Sequence, residues 1–260
     1  MLKLFSLIPA LASLALAQIP APNAAGVAMG HLHLNVKDVE AAKSFFVDQL
    51  GATPIQLGSN EVMKFPGALV FLKKAEPTGG TEGSVVNHIG FLVRDLDPYL
   101  AKWKANSVKI VSQNMANRQA FIMTPDGVKI EIYEDKTIAA PIVNHHIHFY
   151  NGSLNETKAW YVKMFSAKAG MRGRFEAADV PGVNLSFSTS ATPVVGTKGR
   201  ALDHIGFEIK DLESFCKKLE AAGVKFDVPY RKVPALGRAV AFFTDPFGTY
   251  VELTEGLSKL

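Results

Sequence analysis

The segment that decides the fold is HIGFLVRD at residues 88–95, because it returns as HIGFEIKD at residues 204–211. Two related segments, HLHLNVKD and HIHFYNGS, begin at residues 31 and 146. The four leading histidines are therefore 57, 58 and 58 residues apart, an even period across most of the chain. Self-similarity at such a fixed period indicates four copies of one structural unit.

Each copy opens with a short segment rich in β-branched and aromatic residues, which is typical of a β-strand. Signals for a helix start come next. Asp38 and Asp211 are placed to cap helices, and Pro98 suits a first helical position. Ser153 and Glu156 form a capping-box pattern. We expect helices over residues 39–50, 98–105, 154–165 and 212–222.

Three short apolar runs separated by turn residues complete each copy. In the second copy they cover residues 109–112, 120–124 and 128–133. In the fourth copy they cover residues 225–228, 239–244 and 250–254. The repeated unit is therefore predicted to be β-α-β-β-β.

The composition is that of a folded globular chain rather than of a disordered or fibrous one. Of the 260 residues, 48% are hydrophobic and 20% are charged, which is enough apolar material for buried cores. The formal net charge is +4 and the basic residues are scattered, so we expect no nucleic-acid groove. A single cysteine, Cys216, excludes an intramolecular disulfide and a cysteine-cage metal site.

The first 17 residues have the pattern of a cleavable signal peptide. Lys3 precedes an uncharged apolar run over residues 4–17, and this run ends in the small-x-small sequence Ala15-Leu16-Ala17. Residues 18–27 form a spacer rich in alanine and proline. The run is shorter than the roughly 20 residues of a membrane-spanning helix, so we expect no stable membrane anchor. The sequence predicts a periplasmic or secreted protein.

All seven histidines lie on the four opening strands, although histidines kept for solubility would be spread over loops and helices. Four of them occupy the same first position of the repeat. Glu131 and Glu252 each follow a proline by six residues within an apolar strand, where a carboxylate is costly unless it is paired or coordinated. Imidazole and carboxylate ligands together suit a divalent first-row metal, so the pattern predicts metal binding.

Strand alternation divides the remaining polar residues between two faces. His33 and His148 share a face with the leading histidines and are candidates for proton transfer or for a substitute ligand. The alternative is that they only fill the interior of the barrel. Glu134 and Glu255 each lie three residues beyond a candidate ligand carboxylate, so we expect them on the opposite face, exposed to solvent.

Four such units, their strand-opening histidines and closing segments such as TDPFGTYVE at residues 244–252 resemble the vicinal oxygen chelate superfamily. This group includes glyoxalase I, fosfomycin and bleomycin resistance proteins, and extradiol ring-cleaving dioxygenases. The resemblance covers about residues 29–256. It implies an α+β fold in which four βαβββ modules pair into two incomplete β-barrel domains. The first domain would cover residues 28–136, as modules 28–84 and 85–136, and the second residues 141–257, as modules 141–198 and 199–257.

The resemblance also implies one metal-ligand set in each domain. These sets are His31, His88 and Glu131 in the first domain and His146, His204 and Glu252 in the second. The expected cofactor is a divalent ion, Fe²⁺, Zn²⁺, Mn²⁺ or Ni²⁺. The fourth ligand used by glyoxalase I would fall near Phe71 and Ser186, and neither residue is a glutamate. A four-ligand site of the glyoxalase type is therefore not expected.

A site with open coordination positions indicates catalysis on a small oxygen-bearing substrate. Glyoxalase-like lyase or isomerase chemistry, with the metal as a Lewis acid, is the leading interpretation. One alternative is an Fe(II) ring-cleaving dioxygenase, although its tyrosine position holds Phe242 and no histidine lies around Thr189. The other is a protein that sequesters a small molecule without catalysis. The sequence leaves open whether the chain forms a homodimer. Candidate substrate-binding residues are Arg238, Arg231, Asn117 and Arg118.

Overall fold

The computed structural model describes residues 19–259, so the predicted signal peptide lies outside the described residues. The first unit consists of β1 (Val27–Val36), α1 (Val39–Ser44), β2 (Thr53–Leu57), β3 (Asn60–Phe65) and β4 (Ala68–Lys74). The second consists of β5 (Val86–Val93), α2 (Asp97–Ala105), β6 (Lys109–Asn114), β7 (Gln119–Met123) and β8 (Lys129–Glu134). The third consists of β9 (Ile142–Asn151), α3 (Leu154–Phe165), β10 (Lys168–Arg172), β11 (Phe175–Val180) and β12 (Val183–Thr189). The fourth consists of β13 (Leu202–Ile209), α4 (Leu212–Ala221), β14 (Phe226–Val233), β15 (Arg238–Thr244) and β16 (Tyr250–Glu255).

The helices lie where the sequence predicts them, with one difference in winding and one in capping. A π-helical turn, Phe45–Gln49, continues α1. Asp38 and Asp211 cap their helices by accepting hydrogen bonds from backbone N–H groups three residues further on. The predicted capping box is wrong, because the side chain of Ser153 makes no cap bond. Instead, Asn151 Oδ1 accepts the Ser153 N–H at 2.8 Å. Within residues 19–259 no helix is long and apolar enough to span a membrane.

The strands form two open eight-stranded sheets, and this confirms the predicted α+β fold of four βαβββ units. The strand order in one sheet is β14-β15-β16-β13-β1-β4-β3-β2. The order in the other sheet is β10-β11-β12-β9-β5-β8-β7-β6. In each sheet the opening strands of two units pair antiparallel at the centre, β1 with β13 and β5 with β9.

The expected pairing of consecutive units is wrong. The first unit shares a sheet with the fourth, and the second shares a sheet with the third. The lengths of the links explain this arrangement. Residues 135–141 return the chain directly into the same sheet, whereas residues 75–85 and 190–201 carry it between the sheets. An extended link of eleven residues reaches roughly 36 Å, which is enough for such a crossing.

The two crossing links run side by side and hydrogen-bond to each other. The backbone N–H of Thr78 donates to the carbonyl of Gly199, and that of Ala201 donates to the carbonyl of Gly79, both at 2.9 Å. Backbone groups that cross between sheets would otherwise have to be satisfied by water. The contact therefore fixes one crossing against the other.

One hydrophobic core contains buried residues of all four units. Phe65 of one sheet packs against Phe91 of the other, and Phe165 of α3 packs against Phe207 of β13, each with ring centroids 4.8 Å apart. Phe91 and Phe207 lie three residues beyond the opening histidines of their strands, on the opposite face. The core thus occupies one face of each sheet, and the histidines occupy the other.

Two glycines make room for histidine rings across the central strand pairs. His31 lies opposite Gly206, and His146 lies opposite Gly90. A Cβ atom at either glycine would overlap the facing imidazole. The motif is accordingly His-x-His in the first and third units and His-x-Gly in the second and fourth.

We expect the Gly206→Ala variant to be less stable by about 1–3 kcal/mol, because the added methyl group forces apart a packed strand pair or displaces the His31 ring. Urea denaturation of chelator-treated protein measures the change. Gly170→Ala is the control, since no atom lies within 4 Å of a Cβ built there. Equal unfolding midpoints for Gly206→Ala and the parent would contradict the described packing.

Candidate metal centres

Two clusters of histidine and glutamate side chains lie on the sheet faces opposite to the hydrophobic core, one cluster on each sheet. We call this face the inner face of a sheet and the face that carries the core its outer face. In each cluster four side chains bring one potential ligand atom apiece to within 4.8 Å of one another. Site I consists of His31, His33, His204 and Glu252. Site II consists of His88, Glu131, His146 and His148.

All six candidate metal ligands lie in these sites, but the expected sets exchange members. His31 lies with His204 and Glu252 rather than with His88, and His146 joins site II by the same exchange. The antiparallel pairing of the opening strands causes this, because it places the histidines of one unit opposite those of its sheet partner. Each site is assembled within a single chain.

In site I two imidazole nitrogens converge on one carboxylate oxygen. Nε2 of His31 and Nε2 of His204 lie 3.0 and 2.9 Å from Glu252 Oε2. Nδ1 of His204 lies 2.6 Å from Asp203 Oδ1. A neutral His204 that donates Nδ1–H to Asp203 would face Glu252 with a lone pair, so a proton or a metal ion is needed between them. Burial disfavours a charged His204, but Asp203 and Glu252 outweigh it and raise the pKa of this imidazole.

Site II repeats this geometry. Nε2 of His88 and Nε2 of His146 lie 3.1 and 2.8 Å from Glu131 Oε2. The short contact of His146 does not have hydrogen-bond geometry, so its buried Nε2 has no partner among the described residues. Ligand atoms about 2.1 Å from one divalent ion lie roughly 3.0 Å apart at octahedral angles and roughly 3.4 Å apart at tetrahedral angles. The donor types and their spacing therefore fit such an ion at both sites.

Three groups of the two sites, His33, His146 and Glu252, have pKa values that leave them in the protonation state that metal binding requires. Burial, assisted by the charges of His204 and His31, lowers the pKa of His33 to about 3. Burial also lowers the pKa of His146 to about 3. Burial alone would raise the pKa of Glu252, but the neighbouring His31 and His204 hold that pKa well below its usual range. These imidazole lone pairs and this carboxylate charge are thus available at neutral pH.

A cavity of about 110 Å³ adjoins site I. Its walls include His31, His33, Phe71, Arg238, Val240 and Leu257. Three nitrogens of this wall are buried without a hydrogen-bond partner in the part of the chain that the structure describes, namely His31 Nδ1, His33 Nε2 and Arg238 Nε. Buried polar groups are normally satisfied, so these atoms point to a missing ligand.

Site II is covered by two residues that the sequence did not single out. The Arg172 guanidinium donates from Nε to Ser186 Oγ at 2.7 Å and from Nη2 to His148 Nδ1 at 3.3 Å. Gln119 donates to Glu131 Oε1. Strand alternation could have identified Gln119 from the sequence. It lies two residues from Phe121, the strand partner of Glu131, and therefore on the same face of the sheet as Glu131. Arg172 lies at the end of an edge strand, where no motif marks it.

Two comparisons establish the family. The sequence profile of the Glyoxalase/Bleomycin resistance protein/Dioxygenase superfamily matches residues 28–132 and 144–253. The chain belongs to this superfamily. Glyoxalase I from Zea mays has a similar structure, with a TM-score of 0.71 and 17% identity over 90% of this chain and 94% of that chain.

A "putative dioxygenase" from Bacillus subtilis subsp. subtilis str. 168 also has a structure similar to that of this chain. Its TM-score is 0.69, with 13% identity over 92% of this chain and 86% of that chain. No curated protein sequence matches the chain. At these identities the structural similarities establish the fold and leave the reaction to be argued from the site.

The positions where the superfamily resemblance places further functional groups face the sites but hold other residues. Phe71 lies opposite His33, and Ser186 lies opposite His148, on neighbouring parallel strands. Neither residue supplies a fourth carboxylate. Phe242 lies opposite Glu252 and has no phenol hydroxyl.

Among the four candidate substrate-binding residues, only Arg238 lines the cavity of site I. Arg231 is exposed on β14 opposite Val240, so it lies at the rim. Asn117 is exposed in the turn before β7. Arg118 donates to Asp97 and to Glu134, outside both sites. A substrate-binding role for Asn117 and Arg118 therefore stays a prediction.

Glu134 and Glu255 do not simply face solvent, which corrects the expectation from strand alternation. Glu134 Oε2 accepts the backbone N–H of Leu96 at 3.0 Å, and Glu255 Oε2 accepts that of Leu212 at 2.9 Å. Both carboxylates thus hold the start of the helix of their own unit, where unpaired N–H groups favour negative charge.

Proposed function

We propose that the chain is a metal-dependent enzyme that acts on a small oxygen-bearing substrate at site I, by lyase or isomerase chemistry. The observation that carries this proposal is the set of buried, unpartnered nitrogens around the cavity beside Glu252. They lie next to a ligand set that leaves coordination positions open. A divalent ion held by His31, His204 and Glu252 would act there as a Lewis acid on a substrate carbonyl or hydroxyl oxygen.

His33 and Arg238 give this cavity its two polar contacts besides the ligand set. Burial keeps the His33 imidazole neutral, and in the tautomer with its proton on Nδ1 the unpartnered Nε2 can accept a hydrogen bond from a substrate hydroxyl or serve as a fourth ligand. Arg238 directs an N–H donor into the cavity and is suited to a carboxylate of the substrate. Phe71, Val240 and Leu257 supply an apolar wall that limits water. The volume, well below the roughly 300–1,000 Å³ of sites for drug-sized ligands, suits a small acid.

Ring cleavage by Fe(II) uses similar ligands and is the alternative within the same superfamily. Phe242 beside Glu252 supports lyase or isomerase chemistry instead, because its ring offers no hydroxyl for moving a proton. Metal analysis separates the alternatives. Iron in the purified protein would favour the dioxygenase. Zinc, manganese or nickel would favour the lyase or isomerase. Protein without any metal would favour a sequestering function.

We expect Glu252→Gln to lower the affinity for a divalent ion at least tenfold, because the variant keeps the shape of the side chain but removes the anionic ligand. Metal content after dialysis, measured together with circular dichroism, checks this. Glu213→Gln is the control, since Glu213 is 53% exposed and, among residues 19–259, forms its ion pair with Lys217 of α4. Unchanged metal binding by a folded Glu252→Gln variant would refute the ligand role of Glu252.

We expect Arg238→Gln to weaken binding of a small oxo acid by about 10–100-fold, which corresponds to one lost charge-assisted hydrogen bond. Calorimetry of the Zn²⁺-loaded protein with pyruvate as the probe measures this. Arg231→Gln, at the exposed rim, is expected to change the affinity much less. Equal affinities for the parent and Arg238→Gln would remove the argument for an anionic substrate.

We also propose that the protein is exported, as the signal-peptide pattern over residues 1–17 supports. N-terminal sequencing of protein from fractionated cells is expected to begin at Gln18 in the periplasm or the medium. An intact Met1 on cytoplasmic protein would contradict export.

A further inference from the structure

The two sites share their ligand types but differ in charge. Next to His204 of site I stands Asp203, whose Oδ1 lies 2.6 Å from the imidazole Nδ1. The equivalent neighbour of His88 in site II is Asn87, whose Oδ1 lies 2.9 Å from Nδ1. Site I therefore contains two carboxylates around its converging ligands, whereas site II contains only that of Glu131.

Site II also contains a cation that site I lacks at the matching place. Nη2 of Arg172 lies 3.7 Å from Glu131 Oε2, the same oxygen on which the two imidazoles converge. The Arg172 side chain is only 14% exposed and stacks 5.3 Å above the ring of Phe175. Leu57 occupies the equivalent position of the first unit, 26 residues after its opening histidine. Arg238 lines the cavity beside Glu252, but in the described part of the chain none of its nitrogens lies within 4.0 Å of a Glu252 oxygen, so it is not the counterpart of Arg172.

The arginine also engages His148, the third histidine of site II. A guanidinium is always protonated, so His148 Nδ1 must accept the hydrogen bond from Arg172. The other nitrogen, Nε2, then donates to Ser188 Oγ at 2.9 Å. His148 therefore has no free lone pair for a metal or a substrate. The equivalent His33 of site I keeps an unpartnered Nε2.

We propose that the chain binds one divalent metal ion, at site I, and that the Arg172 guanidinium supplies at site II the positive charge that the metal supplies at site I. An ion bound to Glu131 Oε2 would lie within a few ångströms of Arg172, in a buried place where repulsion between cations is poorly screened. This inference rests on the proposed metal dependence and concerns which site carries it.

Metal stoichiometry of the full chain tests the inference, with Zn²⁺ as the probe and mass spectrometry of dialysed protein as the readout. The parent is expected to hold one ion per chain and Glu252→Gln none. Arg172→Gln is expected to hold two ions, because it removes the cation and frees Nδ1 of His148. Arg172→Lys, which keeps the charge, and Arg174→Gln, which removes an exposed arginine from the other position over Phe175, are each expected to hold one.

A double variant locates the second ion. Arg172→Gln combined with Glu252→Gln is expected to retain one ion, and Arg172→Gln combined with Glu131→Gln is expected to lose the added one. A parent with two ions, a Glu252→Gln variant that keeps one, or a folded Arg172→Gln variant limited to one would overturn the inference. If Arg172→Gln does not fold, the first two outcomes still decide it. A parent with no ion would refute the proposed function itself, which is a different result from two.

Discussion

An imidazole ring packed against a glycine, across an antiparallel strand pair, sets the register on which both sites depend. His31 lies against Gly206 and His146 against Gly90, so each ring can approach its partner strand closely enough to reach the ligand carboxylate. A slip by one residue would turn every histidine of the strand towards the core face. The packed core on the opposite face of each sheet opposes such a slip, since it would bring aromatic residues such as Phe207 into the site.

The closing strands β8 and β16 connect each site to a helix. Glu131 and Glu134 lie three residues apart, so one carboxylate meets the histidines on the inner face and the other holds the first turn of α2 on the outer face. Glu252 and Glu255 do the same for site I and α4. Both carboxylates of a pair are fixed by N–H groups or imidazoles. The position of a candidate ligand is thereby tied to the docking of a helix, and the repeat keeps this arrangement twice.

The sequence was sufficient for the unit, the helices and the types of residue that cluster in the two sites, because the 57–58-residue period repeats strong local signals. It did not lead to the correct pairing of units, since four similar units can pair in more than one way. Two signals for the pairing were present, namely the short link over residues 135–141 and the alternation of His-x-His with His-x-Gly. The role of Arg172 could not be found in this way, because its contacts with Glu131 and His148 depend on how β10 packs across the sheet.

A buried set of two imidazoles and one carboxylate cannot simply be left without a positive charge. The carboxylate loses its hydration on burial, and an uncompensated charge at such a place is strongly destabilising. A proton, a metal ion or a guanidinium can each supply the compensation, and they differ in what they leave free. A metal ion at site I would leave coordination positions open beside His33 and the cavity, whereas Arg172 uses the lone pair of His148 and part of the space next to Glu131. The same ligand geometry can therefore remain in both sheets for reasons of stability, while the cavity described above adjoins site I.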